Sequence, residues 1–241
     1  MALGTGWRDR ESTGTERLPV PTLALITLLL VSGTLIAAYL ASEATRGEAP
    51  VIIDLDAEAN VPTWWSSAQL LGCGLLTALI AMRNRALPTI GGGLAALAVV
   101  FVAMSADEVA GFHETFGGLL DRYTVARSQT AFVHTGVWFA VLGIPFALAL
   151  LALGRCLAGF LGEVEGTVTG LTMGFAVFLA GALGIEAASN FVVGESGRPV
   201  IVAVEEGLEL IGVALLLSTM LRFVIRHPST RPLVEALRSR A

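Results

Sequence analysis

Six carboxylates fall inside or at the edge of the apolar segments of this chain, at Asp107, Glu108, Glu186, Glu205, Glu206 and Glu209, with no Lys or Arg among them. Charge in hydrocarbon is costly enough that such a cluster marks a proton, cation or metal site by default. Two of the three histidines, His113 and His134, flank the same segments, and Glu114 follows His113. Carboxylates joined by one or two imidazoles are ordinary ligands for zinc, manganese or iron. The chemistry this predicts is a divalent metal held by Asp107, His113, Glu114, His134, Glu186, Glu205 and Glu206 or a subset of them. Glu108 or Glu209 would then act as the catalytic base on a metal-bound water, directed at a lipid or another small molecule.

Other functions fit the same residues. In a proton- or cation-coupled transporter the acids bind and release their cargo, and in a pH or metal sensor they report to a partner through the basic C-terminal segment. Plainer roles also exist for single residues. His134 near a helix start can donate to a loop carbonyl, His113 and Glu114 can be solvated at the membrane edge, and Ser105 reads as a helix-packing hydroxyl.

The elements that must position these groups are membrane spans. The chain has 241 residues, 54% hydrophobic and 15% charged, with a mean hydropathy of +0.75, which describes a multipass all-α membrane protein. No nucleic-acid partner is implied by a net charge of -5. Cys73 and Cys156 have neither metal-ligand spacing nor an evident pairing. Windows of about 20 apolar residues predict a six-helix bundle. The spans are Val20 to Ala41, Trp64 to Met82, Pro88 to Phe112, Ala131 to Leu153, Thr167 to Val193 and Val200 to Ile225. Residues 1–19 form a polar N-terminal tail, 20–225 the transmembrane domain and 226–241 a basic C-terminal tail. The first span has no cleavage site after it and reads as uncleaved.

Arginine alone supplies the positive charge, and its distribution orients the spans. Eleven arginines fall on the side of the two termini and four on the other, so both termini are expected in the cytoplasm. A chain free of Lys and rich in Ala, Gly and Leu suggests a GC-rich bacterial genome, hence an inner (plasma) membrane and lipid as the surrounding partner. With that topology, four spans bring their polar groups to one level in the outer half. Glu186 lies about 12 Å from its span end, Glu205 and Glu206 about 8 Å and Glu209 about 14 Å, at 1.5 Å per residue. Helical phase puts Asp107, Gly111 and Glu114 on one stripe with Glu108 pointing elsewhere, Glu205 with Glu209 on another, and Glu186 with Ser189 and Asn190 on a third. Gly170 and Gly174 form a GxxxG pair, Gly181 and Gly184 precede the acid of span five, and Pro145 kinks span four. Arg122, Arg127 and Arg198 are the cations placed to fold over the cluster.

The strings Ser105-Ala-Asp-Glu-Val-Ala-Gly-Phe-His-Glu114, Gly184-Ile-Glu186 and Glu205-Glu-Gly-Leu-Glu-Leu-Ile-Gly212 together resemble a group of uncharacterised bacterial multipass membrane proteins with S-x-D-E, H-E, a single intramembrane Glu and E-E-x-x-E. The resemblance covers about residues 88 to 225 and implies a fold, not an activity. Ser105, Asp107 and His113 also resemble part of the zinc site of the alkaline ceramidase and adiponectin receptor hydrolases, but Glu205, Glu206 and Glu209 stand where those enzymes have paired histidines. Di-iron carboxylate bundles carry two Glu-x-x-His copies, and this chain has neither.

Overall fold

A computed structural model describes residues 19–123, 138–191 and 197–239, and every regular element among them is helical. Helix α1 spans Val20–Arg46, α2 Val61–Arg83, α3 Pro88–Ala110 and α4 Phe112–Tyr123. A π-helical segment, Phe139–Gly143, leads into α5, Ile144–Leu161. A second, Ala180–Ile185, joins α6, Thr167–Leu179, to the short α7, Glu186–Ser189. Helix α8 runs from Arg198 to Arg226, and α9 from Arg231 to Arg238. Five of these stretches are long and apolar enough to cross a membrane: Val20–Arg46, Val61–Arg83, Pro88–Ala110, Phe139–Leu161 and Thr167–Ser189. Helix α8 is the longest and lies at the centre, in contact with α1, α2 and α6. Its three glutamates lower its hydropathy, and burial within the bundle compensates for them.

Proline and glycine punctuate the helices where the backbone requires it. Pro21, Pro62, Pro88 and Pro199 sit in first turns, where their missing N–H would have no partner anyway. Gly111 ends α3 in the left-handed conformation, φ 56°, and its N–H closes on the Asp107 carbonyl. The third predicted span therefore stops at Ala110, not Phe112, and the chain restarts as the separate amphipathic α4. Span five likewise ends sooner than Val193, at Ser189, and span four runs on to Leu161, with 131–137 outside the described residues. The C-terminal tail carries the short α9.

Between α2 and α3 two serines form a clamp. Ser67 Oγ donates to the Ser105 carbonyl and Ser105 Oγ to the Ser67 carbonyl, each at 2.9 Å. Ser105 is thus a packing hydroxyl, buried and committed. Cys73 is wholly buried in the core with Leu70, Ile80 and Phe101, while Cys156 is exposed and free.

The tightest contact is between α6 and α8. Cβ atoms built on Gly170, Gly174 and Gly212 would lie 2.4 Å from Thr219 Oγ1, 2.7 Å from Leu216 Cγ and 2.6 Å from the Phe178 amide nitrogen, respectively. The expected GxxxG face is where the two backbones touch. At Gly212 the neighbours are backbone atoms, which cannot rotate away. Gly212→Ala should therefore cost about 2 kcal/mol by overpacking. Gly33, with nothing within 4 Å, should tolerate Ala without a change in the detergent melting temperature.

Candidate functional site

The ends of the helices that carry the acids enclose a partly open cavity of about 930 Å³. Eight carboxylates line it, Asp56, Glu58, Asp107, Glu108, Glu186, Glu205, Glu206 and Glu209, together with His113 and with no Lys or Arg among the described lining residues. All seven of the predicted site residues whose side chains are described therefore meet in one space. His134 and the side chain of Glu114 lie outside the described residues. Asp107 and Glu108, expected on different faces, both line the cavity. It is broad enough at the end of α3 to take both directions.

Each acid is delivered by a local device. Helix α8 carries Glu205, Glu206 and Glu209 into the cavity, and Gly181 is what lets the second π segment come so near to Glu205 and Glu209. A Cβ there would meet the Glu205 carbonyl oxygen at 2.6 Å and Glu209 Cγ at 2.9 Å. Glu186 arrives through the second π segment, where its N–H reaches the Gly181 carbonyl five residues back. That extra residue in the turn rotates the chain beyond it, and the Glu186 carboxyl comes within hydrogen-bonding reach of Glu205. Ser189 and Asn190, expected on the same polar stripe, instead bond the Glu186 carbonyl at 2.7 and 3.2 Å and do not line the cavity.

Asp107 is engaged with the start of α4. Its Oδ1 accepts from the His113 amide at 2.9 Å, and its Oδ2 lies 2.8 Å from His113 Nδ1. The carboxylate therefore caps the helix that Gly111 set off in a new direction. His113 in turn packs against Trp138, ring centroids 4.8 Å apart and tilted by 45°. Trp138 also covers Gly117, where a Cβ would lie 3.2 Å from the indole side chain. Helix α4 is held over the cavity by these contacts, and Phe112, Phe116 and Leu119 form one of its walls.

The loop between α1 and α2 supplies two acids that the spans alone did not point to. The Asn60 amide donates to the Asp54 and Ala57 carbonyls, while its Oδ1 accepts from the Thr63 amide at 3.2 Å and caps α2. Ala59 takes a left-handed φ of 57° to close the turn. Asp56 and Glu58 are laid along the rim as a result. Asn60 two residues before Pro62 is an N-cap signal, and it was the available clue that this loop is built. Arg198, expected to cap the acid cluster, pairs with Asp56 at 2.7 Å on the exposed rim. It reaches none of the deeper groups. Arg122 is exposed at the end of α4, and Arg127 is outside the described residues.

Deeper in, the Ser66 hydroxyl lies beside Glu108. Glu206 and Glu209 are half-buried, face the cavity, and make no hydrogen bond or ion pair with a described residue. Among the described residues, no three His, Cys, Asp or Glu side chains converge closely enough to hold a metal ion. The predicted ligands that are described share a lining without forming a coordination shell among themselves.

This geometry leads to two expected outcomes. Asp107→Ala should loosen α4 by about 1 kcal/mol, the usual value of a cap. Hydrogen exchange of the 113–118 amides should then accelerate roughly fivefold, while α2 and α8 amides keep their protection. Glu209→Gln removes one uncompensated acid and should raise detergent stability by on the order of 1 kcal/mol, seen as a higher melting temperature in metal-free buffer.

Residues 22–223 match the model of a domain of unknown function, DUF8692. The matching model is not that of the alkaline ceramidase and adiponectin receptor hydrolases. No curated protein and no solved structure matches the chain.

Proposed function

The chain belongs to the family of DUF8692, a domain of unknown function, and for this member we propose a membrane-embedded carboxylate site that binds a cation in exchange for protons. The reading includes a six-span bundle in which α8 is the sixth span, with both termini cytoplasmic and the cavity opening on the outer side. Eleven arginines against four support that orientation.

One observation carries the proposal: eight carboxylates line a cavity whose described lining has no Lys or Arg, Arg198 reaching only Asp56 on the exposed rim. Two unit charges 4 Å apart at an effective dielectric of about 20 repel by about 4 kcal/mol. Asp56 has Arg198 on the rim and Asp107 has His113, but the acids deeper in the cavity cannot all be ionised without a cation beside them. A cation that enters displaces the protons that such acids hold. Rapid exchange of this kind suits a lining better than a fixed shell does. A metal-dependent hydrolase asks more of the site, because no three described donors converge and Glu114 and His134 would have to complete the ligand set. A continuous channel has less support, since Leu210, Val213, Leu216 and Met220 fill the bundle below Glu209. The site is one-sided in this conformation.

The test is proton release in weakly buffered detergent solution, read with a pH dye as Mn²⁺ or tetraphenylphosphonium is added to the full chain. Wild type should release protons saturably with at least one of the two, and a Glu206→Gln, Glu209→Gln variant should release far fewer. Equal release from both proteins would sink the reading. A metal retained stoichiometrically through dialysis against EDTA would favour the hydrolase instead.

A further inference from the structure

Resting on the cation-exchange reading, we infer that the bound cation is organic and amphipathic: a positively charged head seated at Glu206 and Glu209, on an apolar body lying against Phe112, Phe116, Trp138 and Leu183. The acids by themselves would suit any cation. Size, wall chemistry and charge balance narrow the choice.

A cavity of about 930 Å³ has the capacity of a site for a drug-sized molecule. A single inorganic ion fills a small fraction of it. Apart from the acids its walls are largely hydrocarbon and aromatic, made by Val99, Ala103, Phe146 and Leu179 besides the four residues that would hold the body. A hydrated metal ion would leave that surface wet, and an apolar body would remove it from water. The wall and the acid floor are continuous, so one molecule with two ends can use both.

Trp138 adds a specific contribution. Its indole is wedged between His113 and Gly117, so it is presented to the cavity in a fixed orientation. Electron-rich ring faces attract ammonium and phosphonium groups, and most strongly when the cation has shed its water. Glu206 and Glu209 add a sign of a ligand, since both are half-buried, face the cavity and have no partner in a hydrogen bond or ion pair among the described residues. A buried polar group left in that state is costly unless something arrives to satisfy it.

Charge balance excludes the commonest amphiphiles. A phospholipid brings a phosphate, and the described lining has no Lys or Arg to receive it. Even a zwitterionic headgroup would set its phosphate against the acids. The ligand carries net positive charge.

The probe is tetraphenylphosphonium, measured by equilibrium dialysis against the full chain in neutral-lipid nanodiscs. Tetramethylammonium, which has the charge without the body, and triphenylphosphine oxide, which has the body without the charge, serve as comparators. Tetraphenylphosphonium should bind saturably and at least tenfold more tightly than either. Glu209→Gln should weaken it about tenfold by removing charge, and Phe116→Ala several-fold by opening the wall, both in proteins that elute and melt as folded. Binding should also weaken as the pH falls, because protons compete for the same oxygens. Equal affinity for tetramethylammonium, or binding indifferent to Glu209→Gln, would overturn the inference. Mn²⁺ releasing protons while tetraphenylphosphonium fails to bind would overturn it too, yet leave the exchange reading standing. Failure of both cations would remove the two together.

Discussion

Where α6 and α8 cross, glycine brings one backbone against the other, and the arrangement of the acids depends on that approach. Gly170 and Gly174 on α6 and Gly212 on α8 remove the side chains that would hold the helices apart. The same contact continues through Gly181 to the turn that carries Glu205 and Glu209. Close approach at the centre of the bundle thus fixes the distance between α8 and the π segment that presents Glu186. Without a hydrophobic driving force between helices in lipid, small residues that permit dense packing are what hold such a crossing together. Packing and site share one set of atoms.

Much of this was legible in the sequence because two simple signals agree. Apolar windows locate the helices, and carboxylates inside them locate the cavity. Asp107, Glu108, Glu186, Glu205, Glu206 and Glu209 were found as a group because no other reason exists for so many acids in such surroundings. Gly170 and Gly174 were equally plain from their spacing. The misplaced boundaries have physical causes. Phe112 belongs to α4 because Gly111 adopts a left-handed φ, and hydropathy does not register a change of direction. Helical phase separates Glu108 from Asp107, and both line the cavity because it is broad at the end of α3, which phase alone does not register. Asp56 and Glu58 were missed as site residues because loop acids are usually solvated. Their position depends on Asn60 bonding across its own turn, which periodicity does not encode.

The π segments show how the backbone was adapted around the cavity. Pro145 has no N–H to give the Val141 carbonyl, and the preceding turn widens so that Ile144 reaches Phe139 five residues back. The kink expected at Pro145 takes this form. The second segment contains no proline, but Gly181 and Gly184 lower the resistance to the wider turn. The two meet at Gly143, where a Cβ would lie 2.4 Å from Leu183 Cδ2. Leu142, Gly143, Ala182 and Leu183 all line the cavity. A wider turn adds one residue to each wall and re-aims the side chains beyond it, which is how Glu186 comes to face Glu205.

The opposite end of the bundle explains how a cavity of this kind is tolerated. There His227 stacks on Phe223 at 4.6 Å and packs on Phe160 at 4.8 Å, while its Nε2 lies 3.1 Å from Glu163 Oε2 and its Nδ1 2.8 Å from Ser229 Oγ. The Asn84 amide donates to Ser229 at 3.1 Å, so the ends of α2, α5 and α8 are tied together. His227, Ser229 and Asn84 are matched with one another there, and the core between the two ends is dense with Leu157, Leu216, Met220 and Phe223. A buried polar group with partners stabilises a fold, and one without them costs free energy. The hydrogen-bonded cluster around His227 and the packed middle offset the cost of leaving Glu206 and Glu209 unmatched.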